Sequence, residues 1–392
     1  MDADAALALR LILAIGTALL LTFTLGRLLL RLDWRGAGVV GGVCAGIALG
    51  PLVLGNLSPT SYEHLNMGGV TERQTLEAFL DERAEDEAAL AAVGVSEIAL
   101  EETVRQNELR EQHLQDDLAM EQARFIDLPL AGAVVLGLIY LMLGSWLGFG
   151  VSISGVRIGA LASLIAVLTW AVVSRRVMGV GLTESVLAGA LIAGGTCWSR
   201  GRWRFSAGLG STLVVLAVCA VAGATHAAWT ACVAIALGSM LSRTSTLSMR
   251  AKSRWSFVAH AVLAPSAIAL LVSLFDITPR TDLIAFVVIA GIFAGDAHII
   301  AAWIAIGWQA TGRRRKLPIS SWFGVYAQGW AGTSLIIAGH VFASGAIEPR
   351  SSIGGVIGLA LALHAVFVEV SQPTTLKLLS SMRQDRRDFT RQ

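Results

Sequence analysis

The sequence predicts an all-α polytopic membrane protein of about 11 transmembrane helices, and three observations lead there. Hydrophobic residues make up 55% of the 392-residue chain and charged ones only 15%, with 41 glycines, a balance foreign to soluble domains. The apolar residues gather in uninterrupted runs of about twenty, the length that crosses a hydrocarbon core at a rise of 1.5 Å per residue. Lys and Arg concentrate in alternate loops, so the near-neutral net charge of +2 conceals a vertical segregation.

The runs occupy roughly 5–31, 36–57, 128–149, 156–174, 178–198, 205–224, 226–242, 256–275, 282–309, 321–345 and 351–371. They divide the chain into two opening helices (1–57), an acidic insertion (58–127), the remaining membrane core (128–371) and a basic tail (372–392). The first run opens with Asp2 and Asp4 and is too long for a cleaved leader, so it reads as a span. The second aligns Gly38, Gly42, Gly46 and Gly50 in one stripe. Such a stripe lets a neighbouring backbone come close, which is how helices associate in lipid. It suits internal packing and a homodimer interface equally well. Pro51 then kinks or ends the helix. Cys44, Cys197, Cys219 and Cys232 all fall within spans without metal-ligand spacing, and read as small packing residues with no metal or disulfide role.

An N-terminus outside and a C-terminus inside place Arg27, Arg31, Arg35, Arg157, Arg200, Arg202, Arg204, Arg243, Arg250, Lys252, Arg254, the run Arg313 to Lys316 and the basic tail in the cytoplasm of an integral plasma (inner) membrane protein. Only Arg175, Arg176, Arg280 and Arg350 face the other way within the core. Residues 62–127 then lie outside and hold most of the acidic residues. Thr71 to Gln74 forms a capping box, Gly94 a helix stop and Ser96 a second N-cap, which predicts an extracytoplasmic helical hairpin or an outward continuation of the third span. This insertion reads either as a solvated spacer or as a docking surface, at 62–126, for a protein partner or a second copy. No catalytic triad or phosphate loop is recognisable, nothing points to nucleic acid, and neither enzyme activity nor a cofactor is expected.

The second span also resembles a signature of the cation/proton antiporter superfamily, sodium/hydrogen exchanger-like proteins. The resemblance rests on Val39-Val40-Gly41, then Ala45-Gly46-Ile47-Ala48-Leu49-Gly50-Pro51 and Leu54-Gly55. Leu136 to Ser145 is similar to the family's third span, Ala188 to Thr196 to its fifth, and Val325 to Gly339 to its penultimate one. The resemblance implies inverted repeats with two broken crossing helices, the breaks falling at Gly194-Gly195-Thr196 and from Gly329 through Gly332 to Ser334. Backbone freed at such breaks can coordinate a cation where it lines a cavity. The chain departs from the family at three usually charged positions: Ser211 to Val218 holds no aspartate, the fifth-span break reads Thr196-Cys197-Trp198, and the penultimate span reads Gln328-Gly329-Trp330-Ala331. Two of the family's usual thirteen spans are missing between about Ala224 and Arg254.

Asp296 stands near the centre of the ninth run between Gly295 and Ala297, where an ionisable side chain asks for a partner or a purpose. It reads as a proton-binding carboxylate, with His298, His260, His340 or His364 as partner, or as a buried Asp held by hydroxyls. Glu184, Glu369 and Arg10 sit close enough to span ends to snorkel outward. Two functions follow. One is a secondary transporter exchanging a monovalent cation or small solute against protons across the lipid bilayer, with Asp296 as carrier and Thr196, Gln328, Thr333 and Ser334 lining the path. The other is a transport-inactive scaffold or sensor that works through the 58–127 insertion.

Overall fold

The computed structural model describes residues 3–31, 37–62, 70–93, 97–144, 153–193, 202–275, 331–348, 351 and 353–366. The fold is all-α: 91% helix, with no strand among the described residues. Three helices are long and apolar enough to cross a membrane, at Ala8–Arg31, Ala37–Gly55 and Gly155–Met178, and several shorter apolar helices accompany them. This is the architecture of a helical membrane protein.

Helices α1 (Ala3–Arg31) and α2 (Ala37–Leu49) pack side by side. Their contact is backbone to backbone, since a Cβ added at Gly41 would stand 2.9 Å from the Gly26 nitrogen. Regular α2 hydrogen bonding stops at Gly50, which is extended (φ −81, ψ 179), and Pro51 opens a π-helical turn, Pro51–Gly55. The proline therefore acts as expected, because it has no N–H to continue the ladder. A short helix, α3 (Pro59–Tyr62), follows.

The insertion contains α4 (Val70–Val93), and α5 (Glu97–Gly144) runs without interruption from it into the apolar segment Leu128–Leu143. Of the two expectations for this region both hold in part: α4 and the first half of α5 make a hairpin, and that half is also the continuation of the third span. The less exposed positions in the first half of α5 are Thr103, Val104, Asn107, Glu111, Leu114, Leu118 and Glu121, and from Val104 onward they alternate by three and four as in a coiled-coil seam. Those of α4 include Glu72, Leu76, Phe79 and Arg83. Arg83 donates to Glu111 at 2.6 Å, and the Arg110 guanidinium lies 4.8 Å from the Phe79 ring centre. This pairing sets an antiparallel register that brings Leu76 level with Leu118. Nearer the tip, hydrogen bonds from Arg105 and Gln106, and then the Arg105 charge, hold the exposed Glu102 carboxyl below the usual carboxylate range.

Helices α6 (Ile153–Met178), α7 (Leu182–Ala193) and α8 (Arg202–Val221) form one packed group. Gly189 of α7 meets the backbone of Val167 and Ala171, and Gly210 of α8 meets that of Val156. Helix α9 (Thr225–Thr244) follows α8 after three residues. The turn is a Schellman motif: Gly223 has φ +98, Ala224 N–H donates to the Cys219 carbonyl at 2.8 Å, and Gly223 N–H to that of Ala220 at 3.4 Å.

Next comes one rod built from α10 (Met249–Val258), a π-helical turn (Ala259–Leu263) and α11 (Ala264–Val272). Pro265 cannot donate to the carbonyl four residues back, and the helix widens just before it, with Ala264 N–H reaching the Ala259 carbonyl. Ser266 adds a side-chain bond to the Val262 carbonyl at 2.8 Å. Helices α12 (Ala331–Ala343) and α13 (Ile353–Val366) complete the described core.

Every residue of α11 is buried, and it touches α1, α2, α5 and α12. Its contact with α2 is the tightest. A Cβ at Gly42 would lie 2.4 Å from the Pro265 oxygen, one at Gly46 2.7 Å from the Ala269 oxygen, and one at Gly50 3.7 Å from the Ser273 Cα. Each step of four on α2 matches a step of four on α11, so the two helices run parallel. The stripe is thus consumed by internal packing, which resolves the alternative left open by its spacing. Its first member, Gly38, is half-buried.

Gly42→Ala is expected to destabilise the protein by about 1–3 kcal/mol through overpacking against backbone that cannot yield. Gly16→Ala, where nothing lies within 4 Å, should leave the unfolding temperature in detergent unchanged or slightly raised.

Candidate functional site

Helix α12 positions the only sequence-predicted pathway residues among the described ones. Thr333 and Ser334 lie in its first turns together with Gly332, all three in regular helix. Of the expected break from Gly329 to Ser334, the part from Ala331 to Ser334 is regular helix, with no proline to interrupt it. Asp296, Thr196, Gln328, Gly194, Gly195 and Gly329 lie outside the described residues, as do His298 and Glu369.

Seven residues after Thr333, and so on the same helix face, comes His340. It is 3% exposed, and its Nε2 has no hydrogen-bond partner among the described residues. The cause is local. Gly137 of α5 leaves a notch into which Ile336 and His340 pack: a Cβ there would come within 2.7 Å of Ile336 Cγ2 and 3.6 Å of His340 Nε2. The imidazole is thereby held against the α5 backbone, while the neighbouring Gly339 meets the side chain of Leu271. Behind it, Phe275 stacks edge-on with Phe342 at 5.7 Å between ring centres and fills the space left by Gly358 of α13. His364, on α13, is also buried.

A second polar group sits where α6 meets α8. Ser163 and Ser211, both buried, share a hydrogen bond, and Ser206 and Thr212 are also buried on α8. Ser211 and Thr212 open the very stretch where the resemblance implies a carboxylate. Hydroxyls can donate and accept, so they can ligate a dehydrated cation or relay a proton, but they hold no charge. Sequence reading passed over this pair. The available signal was a serine inside each of two largely apolar runs.

Glu184 has a plainer role than snorkelling. Its carboxylate accepts the Gly181 N–H at 3.1 Å, while the Ser185 hydroxyl donates to the Gly181 carbonyl at 2.6 Å, so the start of α7 is capped from within. The described cysteines, Cys44, Cys219 and Cys232, are free thiols. No family model matches the sequence, and no curated protein shows significant similarity to it.

Ser211→Ala leaves the Ser163 hydroxyl buried without this partner and is expected to cost about 1–3 kcal/mol, whereas Ser163→Ala combined with Ser211→Ala should recover part of that loss. Thermal unfolding of the single and double variants in one detergent checks the non-additivity.

Proposed function

We propose that the protein is a secondary active transporter, resembling monovalent cation:proton antiporters, that exchanges a cation or small solute against protons. The observation that supports this best is His340: an ionisable side chain buried within an apolar helix bundle, with an open nitrogen, on the helix that also bears Thr333 and Ser334. Ionisable groups are expensive in the bilayer and are kept where they bind or pass charge. Imidazole suits proton handling because its ordinary pKa lies near neutrality.

In this reading Asp296 is the proton carrier, and Thr196, Gln328, Thr333 and Ser334 line the path. Gly194, Gly195 and Gly329 provide the irregular backbone on either side, and His340 is the second proton-binding group. The serine pair of α6 and α8 replaces a fixed charge with neutral ligands. The parallel α2–α11 contact agrees with the span count, in which spans two and eight run the same way; an N-terminus outside and a cytoplasmic C-terminus in a plasma (inner) membrane are read from the loop charges.

A second reading is favoured by one observation. Because α5 is continuous from the acidic hairpin to the buried core, any load on the hairpin acts directly on the helix that cradles His340. A transport-inactive sensor or scaffold working through 58–127 would use that link.

Purified protein in liposomes with a lumenal pH dye, pulsed with sodium, potassium or lithium, tests the proposal. Cation-dependent alkalinisation is expected, abolished by Asp296→Asn and slowed about tenfold by His340→Gln, a barrier change of about 1.4 kcal/mol. A flat response to all three cations from folded protein would favour the sensor.

A further inference from the structure

An open cavity of about 520 Å³ is lined by Ser248, just before α10, and by Ala251, Arg254, Trp255 and Val258 of α10. We propose that this cavity binds one anionic phospholipid, its phosphate on Arg254 and the start of an acyl chain against Trp255 and Val258. The inference is independent of the transport reading.

Position is the first argument. The rod 249–272 changes character along its length: α10 is polar, carrying Arg250, Lys252 and Arg254, while α11 is apolar and wholly buried. The boundary between water and hydrocarbon therefore falls near Trp255 to Val258. An indole at that level is the usual occupant of the membrane interface.

Charge is the second. No Asp or Glu occurs between Ser185 and Phe275, so α8 to α11 contain no carboxylate to neutralise this basic helix. Arg254 is exposed and has no ion-pair partner among the described residues. Lys252, two residues earlier, is buried instead (9% exposed) on another face of α10, and so is not the cation the cavity presents.

Chemistry and size select the ligand. Ser248 Oγ accepts the Ala251 N–H at 3.3 Å, which fixes the hydroxyl at the cavity edge with its own proton available to donate. Small-molecule sites enclose about 300–1,000 Å³, far more than one inorganic phosphate fills. The remaining wall is apolar and open, with Trp255 49% and Val258 38% exposed, and neighbouring Leu247 42%. A phosphate joined to a hydrocarbon chain satisfies both halves. Basic pockets beside transmembrane helices are suited to anionic headgroups for the same reason.

Native mass spectrometry of the full chain, titrated with phosphatidylglycerol or phosphatidylcholine, reads the site. One retained phosphatidylglycerol is expected, bound about tenfold more tightly than phosphatidylcholine. Arg254→Gln and, separately, Ala251→Phe, which fills the cavity without changing charge, should each lower that affinity about tenfold, while Arg175→Gln leaves it unchanged. Should Arg254→Gln fail to fold, Ala251→Phe decides alone. Equal retention of the two lipids, or undiminished phosphatidylglycerol binding in Ala251→Phe, would overturn the proposal. Displacement of the lipid by millimolar inorganic phosphate would also overturn it and assign the cavity to a free anion.

Discussion

The parallel contact of α2 with α11 is the constraint on which the rest of the fold depends. Burying apolar side chains gives no net attraction between helices already in hydrocarbon, so association relies on close packing. Gly42 and Gly46 bring the α2 backbone onto the backbone of α11 at the level of Pro265 and Ala269. Gly41, one position round the same helix, does the like against Gly26 of α1. Helix α2 is thus clamped on two faces, and α11 becomes the buried axis around which α1, α5 and α12 are arranged. Both clamped helices also carry a proline-linked π-helical turn, at Pro51–Gly55 and just before Pro265. Each turn accommodates its proline within lipid-compatible, hydrogen-bonded helical backbone.

Around that axis the polar groups are few and specifically housed. His340 occupies a notch that exists only because residue 137 lacks a side chain, and Ser163 and Ser211 satisfy one another across α6 and α8. The acidic hairpin belongs to the same mechanical unit, because α5 supplies both one of its helices and the surface that holds His340. At the opposite polarity of the chain, α10 extends the buried axis into a basic, tryptophan-bearing segment. Core, hairpin and basic helix are therefore connected through unbroken backbone.

Much of the architecture was legible because it depends on local rules. Among the described residues the apolar helices fall on the runs and Pro51 marks the end of α2, while the run 282–309, Gly94 and Ser96 lie outside the described residues. The stripe of Gly38, Gly42, Gly46 and Gly50 announced a close contact, but spacing alone holds no information about which helix makes it or in which direction. The continuity of α5 was half-legible: polarity separates 97–127 from 128–144, yet helix propensity does not change across the boundary, and Pro129 is accommodated within the helix. The site was less legible. A serine on α6 and another on α8 meet only after tertiary packing, and the notch for His340 combines a glycine and a histidine some two hundred residues apart. The expected break through Gly332 to Ser334 came from resemblance, and the local sequence, free of proline, forms regular helix there.

Disulfide cross-linking in native membranes, in a cysteine-depleted background, tests the α2–α11 arrangement most directly. The account predicts that Gly50→Cys paired with Ser273→Cys forms an intramolecular disulfide rapidly under mild oxidation, and that Gly38→Cys paired with Ser273→Cys does not. Efficient linkage through position 38 and none through position 50 would mean that the helices run antiparallel, and would contradict the buried axis on which the fold is built.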